Sequence, residues 1–97
     1  MLFHIRCKDK PSQMNMRAST RAAHIKYLTG FGDQIYFAGP TLTDDGETVS
    51  GSMFLFNAEN IEEAEEFAKG DPYRKMGLFE SVEIEQIRNV IPGDGGE

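Results

Sequence analysis

The run Met53-Phe54-Leu55-Phe56 has no polar interruption, and it places the hardest condition on how this chain can fold. It is too short for a helix of ordinary length, and it fits a strand covered on both faces. The other strand-like stretches alternate. Met1 to Lys8 sets Phe3, Ile5 and Cys7 on one side and Leu2, His4 and Arg6 on the other. Leu78 to Arg88 sets Val82 and Ile84 against Glu83 and Glu85, as expected of an edge strand with one wet face. A fourth strand, Gln34 to Ala38, is rich in Ile, Tyr and Phe, and Gly39-Pro40 is expected to end its pairing.

Two helical patterns lie between these strands. After a loop and cap at Asp9-Lys10-Pro11-Ser12, the residues Met14, Ala18, Ala22, Ile25 and Leu28 recur at helical spacing. That stripe predicts a helix with its apolar face on the core, stopping at Gly30 or Gly32. Asn60 and Glu63 form a capping-box pattern before Ile61, Ala64, Phe67 and Ala68. Glu62, Glu63, Glu65 and Glu66 make the opposite face acidic and solvated, and Gly70 reads as the residue that ends the helix. Pro72 to Gly77 is a further short turn of helix, and Thr41 to Ser50 a hairpin with a solvated acidic tip at Asp44-Asp45-Gly46.

The order βαββαβ predicts an α+β, ferredoxin-like domain: a four-stranded antiparallel sheet with two helices on one face. Residues 1–91 make one domain, and Pro92 to Glu97 is expected to be a flexible tail. With helices on only one face, the doubly apolar strand needs a cover on the other. A second copy of the chain is the simplest one, a homodimer through the sheet face.

The net charge of -6 argues against nucleic acid and anionic membranes as partners, because phosphates demand clustered Lys and Arg. No apolar run approaches the ~18 residues of a membrane span, and no basic-then-apolar leader opens the chain, so a cytoplasmic location is expected. One cysteine and two histidines cannot build a structural zinc cluster or an internal disulfide. Cys7 is read as a packed apolar residue, and Asp44 to Glu47 is too short for a calcium loop. No metal and no cofactor are expected, since neither a phosphate-cradling glycine loop nor a nicotinamide fingerprint is present, and no serine-nucleophile motif either.

The chemistry-bearing candidates are His24 and Asp71. Asp71-Pro72 reads as a helix cap followed by proline at the first helical position. Because both helices lie on one side of the sheet, the turn carrying Asp71 can meet the helix carrying His24. A carboxylate there would fix the imidazole tautomer and make a general base. Arg21 and Arg17 lie one and two turns before His24, where they could hold an anionic substrate or a developing enolate. His4 is read as structural.

Arg21-Ala22-Ala23-His24, Ala38-Gly39-Pro40, Gly51-Ser52 before an apolar strand, and Asp71-Pro72-Tyr73 with Gly77-Leu78 together resemble the pattern of the YciI-like (YCII-related) family. The resemblance runs from the first strand to the last. It implies a ferredoxin-like domain that dimerises through its sheets into an α+β barrel related to muconolactone isomerases. It also implies a paired histidine and aspartate, which fall on His24 and Asp71, with Ser52 at the family's Gly-Ser position as a pocket residue. The expected function is a small cofactor-free enzyme using this pair on a small anionic or aromatic metabolite, of isomerase, lyase or dehydrochlorinase type. The alternative is a dimeric module that binds a small molecule, or a partner, without turnover.

Overall fold

The computed structural model describes residues 1–93. Four strands, β1 (Leu2–Asp9), β2 (Ile35–Leu42), β3 (Val49–Asn57) and β4 (Phe79–Ile87), form one antiparallel sheet in the order β2-β3-β1-β4. Helices α1 (Met14–Thr29) and α2 (Ile61–Gly70) and the short α3 (Pro72–Lys75) complete the expected ferredoxin-like plan.

Alternation decides the layers. Phe3, Ile5 and Cys7 of β1 and Phe54 and Phe56 of β3 point under the helices and are buried. Phe67 of α2 closes over them, stacked on Phe56 at 4.0 Å between ring centroids and edge-on to Phe31 at 4.8 Å. Such ring pairs add about 0.5–1.5 kcal/mol each beyond the area they bury. Cys7 lies inside this core, and burial pushes its thiol up to about 12, so it packs and stays protonated. At the start of α2 the Asn60 side chain accepts from the Glu63 amide at 2.9 Å, as the sequence pattern predicts.

Several expectations need correction. β2 does not stop at Gly39-Pro40: Pro40 pairs in register with Ser52 and the strand runs on to Leu42. β2 is an edge strand, where a residue without an N–H can face outward at no cost to the ladder. Ser12 does not cap α1. It sits at φ +62°, and Gln13 occupies the cap position with no side-chain bond. Gly70 is the last helical residue of α2 rather than the residue after it, and it is small for a different reason: a Cβ there would stand 2.1 Å from the Tyr27 hydroxyl oxygen. The hairpin tip is not merely solvated. Asp45 accepts from the amides of Glu47 and Thr48 and from the hydroxyls of Thr43 and Thr48, and those bonds hold its carboxyl well below the usual range. Of the expected tail, Pro92 and Gly93 belong to a turn in which the Gly93 amide donates to Asn89, and residues 94–97 lie outside the described ones.

The largest correction concerns α1. Its apolar stripe does not face the core: Met14, Ala18, Ala22 and Ile25 are exposed, and only Leu28 is buried. The buried face is Arg17, Thr20, His24 and Leu28. A helix that turns a cation and an imidazole inward must satisfy both, and that need builds the site.

Candidate active site

The inward face of α1 packs against α3, which brings His24 onto Asp71. His24 Nδ1 and Asp71 Oδ1 are 2.7 Å apart, and the two residues are 7% and 2% exposed. The same carboxylate oxygen accepts the Tyr73 amide at 3.0 Å, so Asp71 caps α3 and orients His24 with one atom. An ionised carboxylate can only accept, which places the proton of a neutral His24 on Nδ1 and leaves a lone pair on Nε2. Nε2 carries no hydrogen bond to a described residue. No buried side-chain nitrogen or oxygen among them lacks a partner, so Nε2 meets solvent.

Beside the ring, between α1 and the β2 edge of the sheet, lies a groove of about 500 Å³. Its α1 wall is the exposed stripe, with Met14, Ala18 and Ile25, and Ala38, Pro40 and Val49 stand opposite. The stripe is apolar because it borders this cleft. Ring-sized ligands fit cavities of about 300–1,000 Å³.

Tyr73 covers one side of the imidazole, stacked at 3.9 Å with planes 16° apart, without closing the groove to Nε2. Burial raises the Tyr73 hydroxyl pKa in spite of the charges on Arg17 and Arg21.

Arg17 is expected in the sequence to meet substrate, but its guanidinium is largely committed within the protein. Nε and Nη2 donate to the two carboxylate oxygens of Asp9 at 2.8 and 3.0 Å, and Nη2 also donates to Ser52 Oγ at 3.0 Å. The guanidinium carbon lies 4.6 Å from the centre of the Tyr73 ring. Burial works against this charge, yet Asp9 outweighs it and the Arg17 pKa is raised. Ser52, 2% exposed, lines the groove from β3, while Arg21 lines it from an exposed position on α1.

Sequence reasoning misses Asp9. The signal is nonetheless there: Asp9 continues the inward phase of Phe3, Ile5 and Cys7, so it is an acid where the pattern asks for an apolar residue.

The family model of the YCII-related domain matches residues 1–88. This chain belongs to the YCII-related family. It is 30% identical to the protein YciI of Escherichia coli, over 94% of this chain and the whole of that one. An uncharacterised protein of Haemophilus influenzae is 27% identical over the same shares. Among solved structures, the 5-chloro-2-hydroxyhydroquinone dehydrochlorinase TftG of Burkholderia phenoliruptrix AC1100, in complex with 2,5-dihydroxybenzoquinone, is similar. It has a TM-score of 0.85 and 35% identity, covering 97% of this chain and 100% of its own. In this YCII-related chain the bond from Nδ1 to Asp71 leaves Nε2 beside a largely apolar cleft. No helix among the described residues is long and apolar enough to cross a membrane.

Proposed function

We propose that this YCII-related protein is a small enzyme whose own side chains move a proton on a hydroxylated or quinoid ring, eliminating a leaving group or shifting a double bond. The observation that carries the reading is His24 Nε2, unpartnered and open to an apolar, ring-sized groove, with Nδ1 tied to buried Asp71. Nε2 takes a proton from the ring, the C–H pair becomes a new π bond of the conjugated system, and in the elimination the C–Cl bond breaks with its own pair leaving on chloride. His24 then returns its proton to water, so the net loss is HCl. Arg21, exposed on the groove wall, is suited to drawing in an anionic substrate.

The test pairs chemistry with tautomer. The protein is incubated with chlorinated hydroxyhydroquinones, beginning with the substrate named for TftG, and chloride release is followed. Alongside, the ¹⁵N shifts of the His24 ring are recorded. The expected result is chloride release by a protein whose neutral His24 is protonated on Nδ1 and whose Asp71→Ala variant loses that preference. A ring protonated on Nε2 in the unaltered protein would sink the reading.

One observation favours a second reading, a binding module without turnover: Asp71 Oδ1 also holds the Tyr73 amide, and Tyr73 clamps the ring. Under that reading ligands bind in the groove, and no substrate is consumed.

We also propose that a second copy covers the open sheet face. Phe37, 52% exposed, and the half-buried Met53 and Leu55 form an apolar half-face there, beside a charged half carrying Arg6, Glu83 and Glu85. Sedimentation at micromolar concentration should give twice the 10.9 kDa of one chain; a single-chain mass rejects the dimer.

A further inference from the structure

The proton-moving step leaves negative charge on the ring's oxygen, and something must receive it. Ser52 Oγ accepts from Arg17 Nη2 at 3.0 Å. A guanidinium has no acceptor, so the serine's own proton cannot point back along that bond. Ser52 donates to no described residue: its inward neighbours in the sheet are Cys7 on β1 and Pro40 on β2. The side chain is 2% exposed and borders the groove. Its hydroxyl is therefore a donor with no acceptor among the described residues, on the wall of the space a ligand would occupy.

Arg17 makes that donor stronger. A hydroxyl that accepts from a cation is polarised toward donating, and the effect is larger where little water reaches. Asp9 holds the guanidinium by two bonds, which fixes Ser52 in turn through a chain from β1 to α1 to β3. The donor thus costs no reorganisation when charge appears. Arg21, exposed to solvent, exerts a screened field by comparison.

We propose that Ser52, positioned by Arg17 and Asp9, is the oxyanion donor of the groove, and that the substrate class carries a carbonyl or hydroxyl oxygen conjugated to the carbon where the proton moves. This rests on the proton-transfer reading of His24. As His24 Nε2 takes the proton, the C–H pair becomes the ring π bond and the carbonyl π pair becomes the oxygen's charge, held by the Ser52 O–H. On collapse the oxygen re-forms its double bond, and either the leaving group departs or the proton returns to another carbon.

Phenols of similar shape and graded acidity test this without turnover. Affinities of a substituted-phenol series are measured by calorimetry on the full chain, in wild type and in Ser52→Ala, with the His24 ¹⁵N shifts recorded for each protein. In wild type the bound phenolate gains affinity as its basicity rises, and Ser52→Ala lowers affinity about tenfold to a hundredfold and flattens that dependence. Arg17→Lys, which cannot hold Asp9 and Ser52 in the same fork, gives an intermediate slope. Equal affinities and slopes in wild type and Ser52→Ala, or no phenol binding by wild type, overturn the proposal. The His24 shifts separate the two ideas: a tautomer that ignores Asp71 rejects the base while leaving the donor result standing.

Discussion

His24→Gln is expected to lower turnover of any ring substrate found for this protein by about a hundredfold to ten-thousandfold, the usual worth of a general base. Glutamine is the sharper choice. Its amide can still donate to Asp71 Oδ1, so the carboxylate keeps a second partner besides the Tyr73 amide. It cannot accept a proton at neutral pH. His24→Ala, in contrast, removes a ring stacked on Tyr73 and leaves Asp71 short of a bond, a loss of about 1–3 kcal/mol before any cavity is counted. In a domain of marginal stability that loss would confuse unfolding with lost chemistry. Steady-state rates and melting temperatures of both variants decide the matter. A Gln variant that melts like wild type and keeps its rate shows that His24 is not the base.

Gly51→Ala is expected to destabilise the fold by about 4 kcal/mol or more, enough to prevent stable expression. A Cβ at this position would stand 2.0 Å from the Cys7 carbonyl oxygen and 3.1 Å from the Thr41 hydroxyl. Cys7 lies on β1, whose ladders to β3 and β4 leave it no room to retreat. The strands would have to part where Ser52 is placed, so any surviving protein should also lose the Arg17–Ser52 bond. Gly30→Ala is the control. Gly30 has ordinary helical φ, and its nearest obstacle is the Tyr27 carbonyl at 3.4 Å. Its effect should stay within about 1 kcal/mol of zero, with urea unfolding as the measurement. A folded, wild-type-like Gly51→Ala would refute the steric argument.

Strand and helix periods made the architecture legible, because β1 and β4 state their faces through residues such as Ile5 and Ile84, while the unbroken run around Phe54 marks β3 as an interior strand. The dyad was legible because Asp71-Pro72 fixes a turn and the plan puts it beside α1. What sequence reasoning inverted was the orientation of α1. Met14, Ala18 and Ile25 look like a core stripe by hydrophobicity alone, and no local rule distinguishes burial in a core from burial in a cleft. The inward side was marked instead by Arg17 and His24, whose partners Asp9 and Asp71 come from distant elements. Asp45 escaped notice for the opposite reason: its four bonds are local, but an Asp-Asp-Gly turn offers two candidate acids and only the backbone path chooses between them.

Pro40, paired within an edge strand, has a consequence for how this chain avoids misassembly. A sheet edge with free amides is a template on which another strand can add, and such addition leads to open-ended fibres. On β2 the proline withholds one of those donors in mid-strand, and the register slip between Thr41 and Leu42 breaks the even spacing an incoming strand would need. At the other edge β4 presents Glu80, Glu83 and Glu85, whose repulsion discourages two copies from aligning. Sideways growth is thus opposed at both ends of the sheet, and slow fibrillation is the expected behaviour of a concentrated solution even though the central strand is among the most apolar segments in the chain.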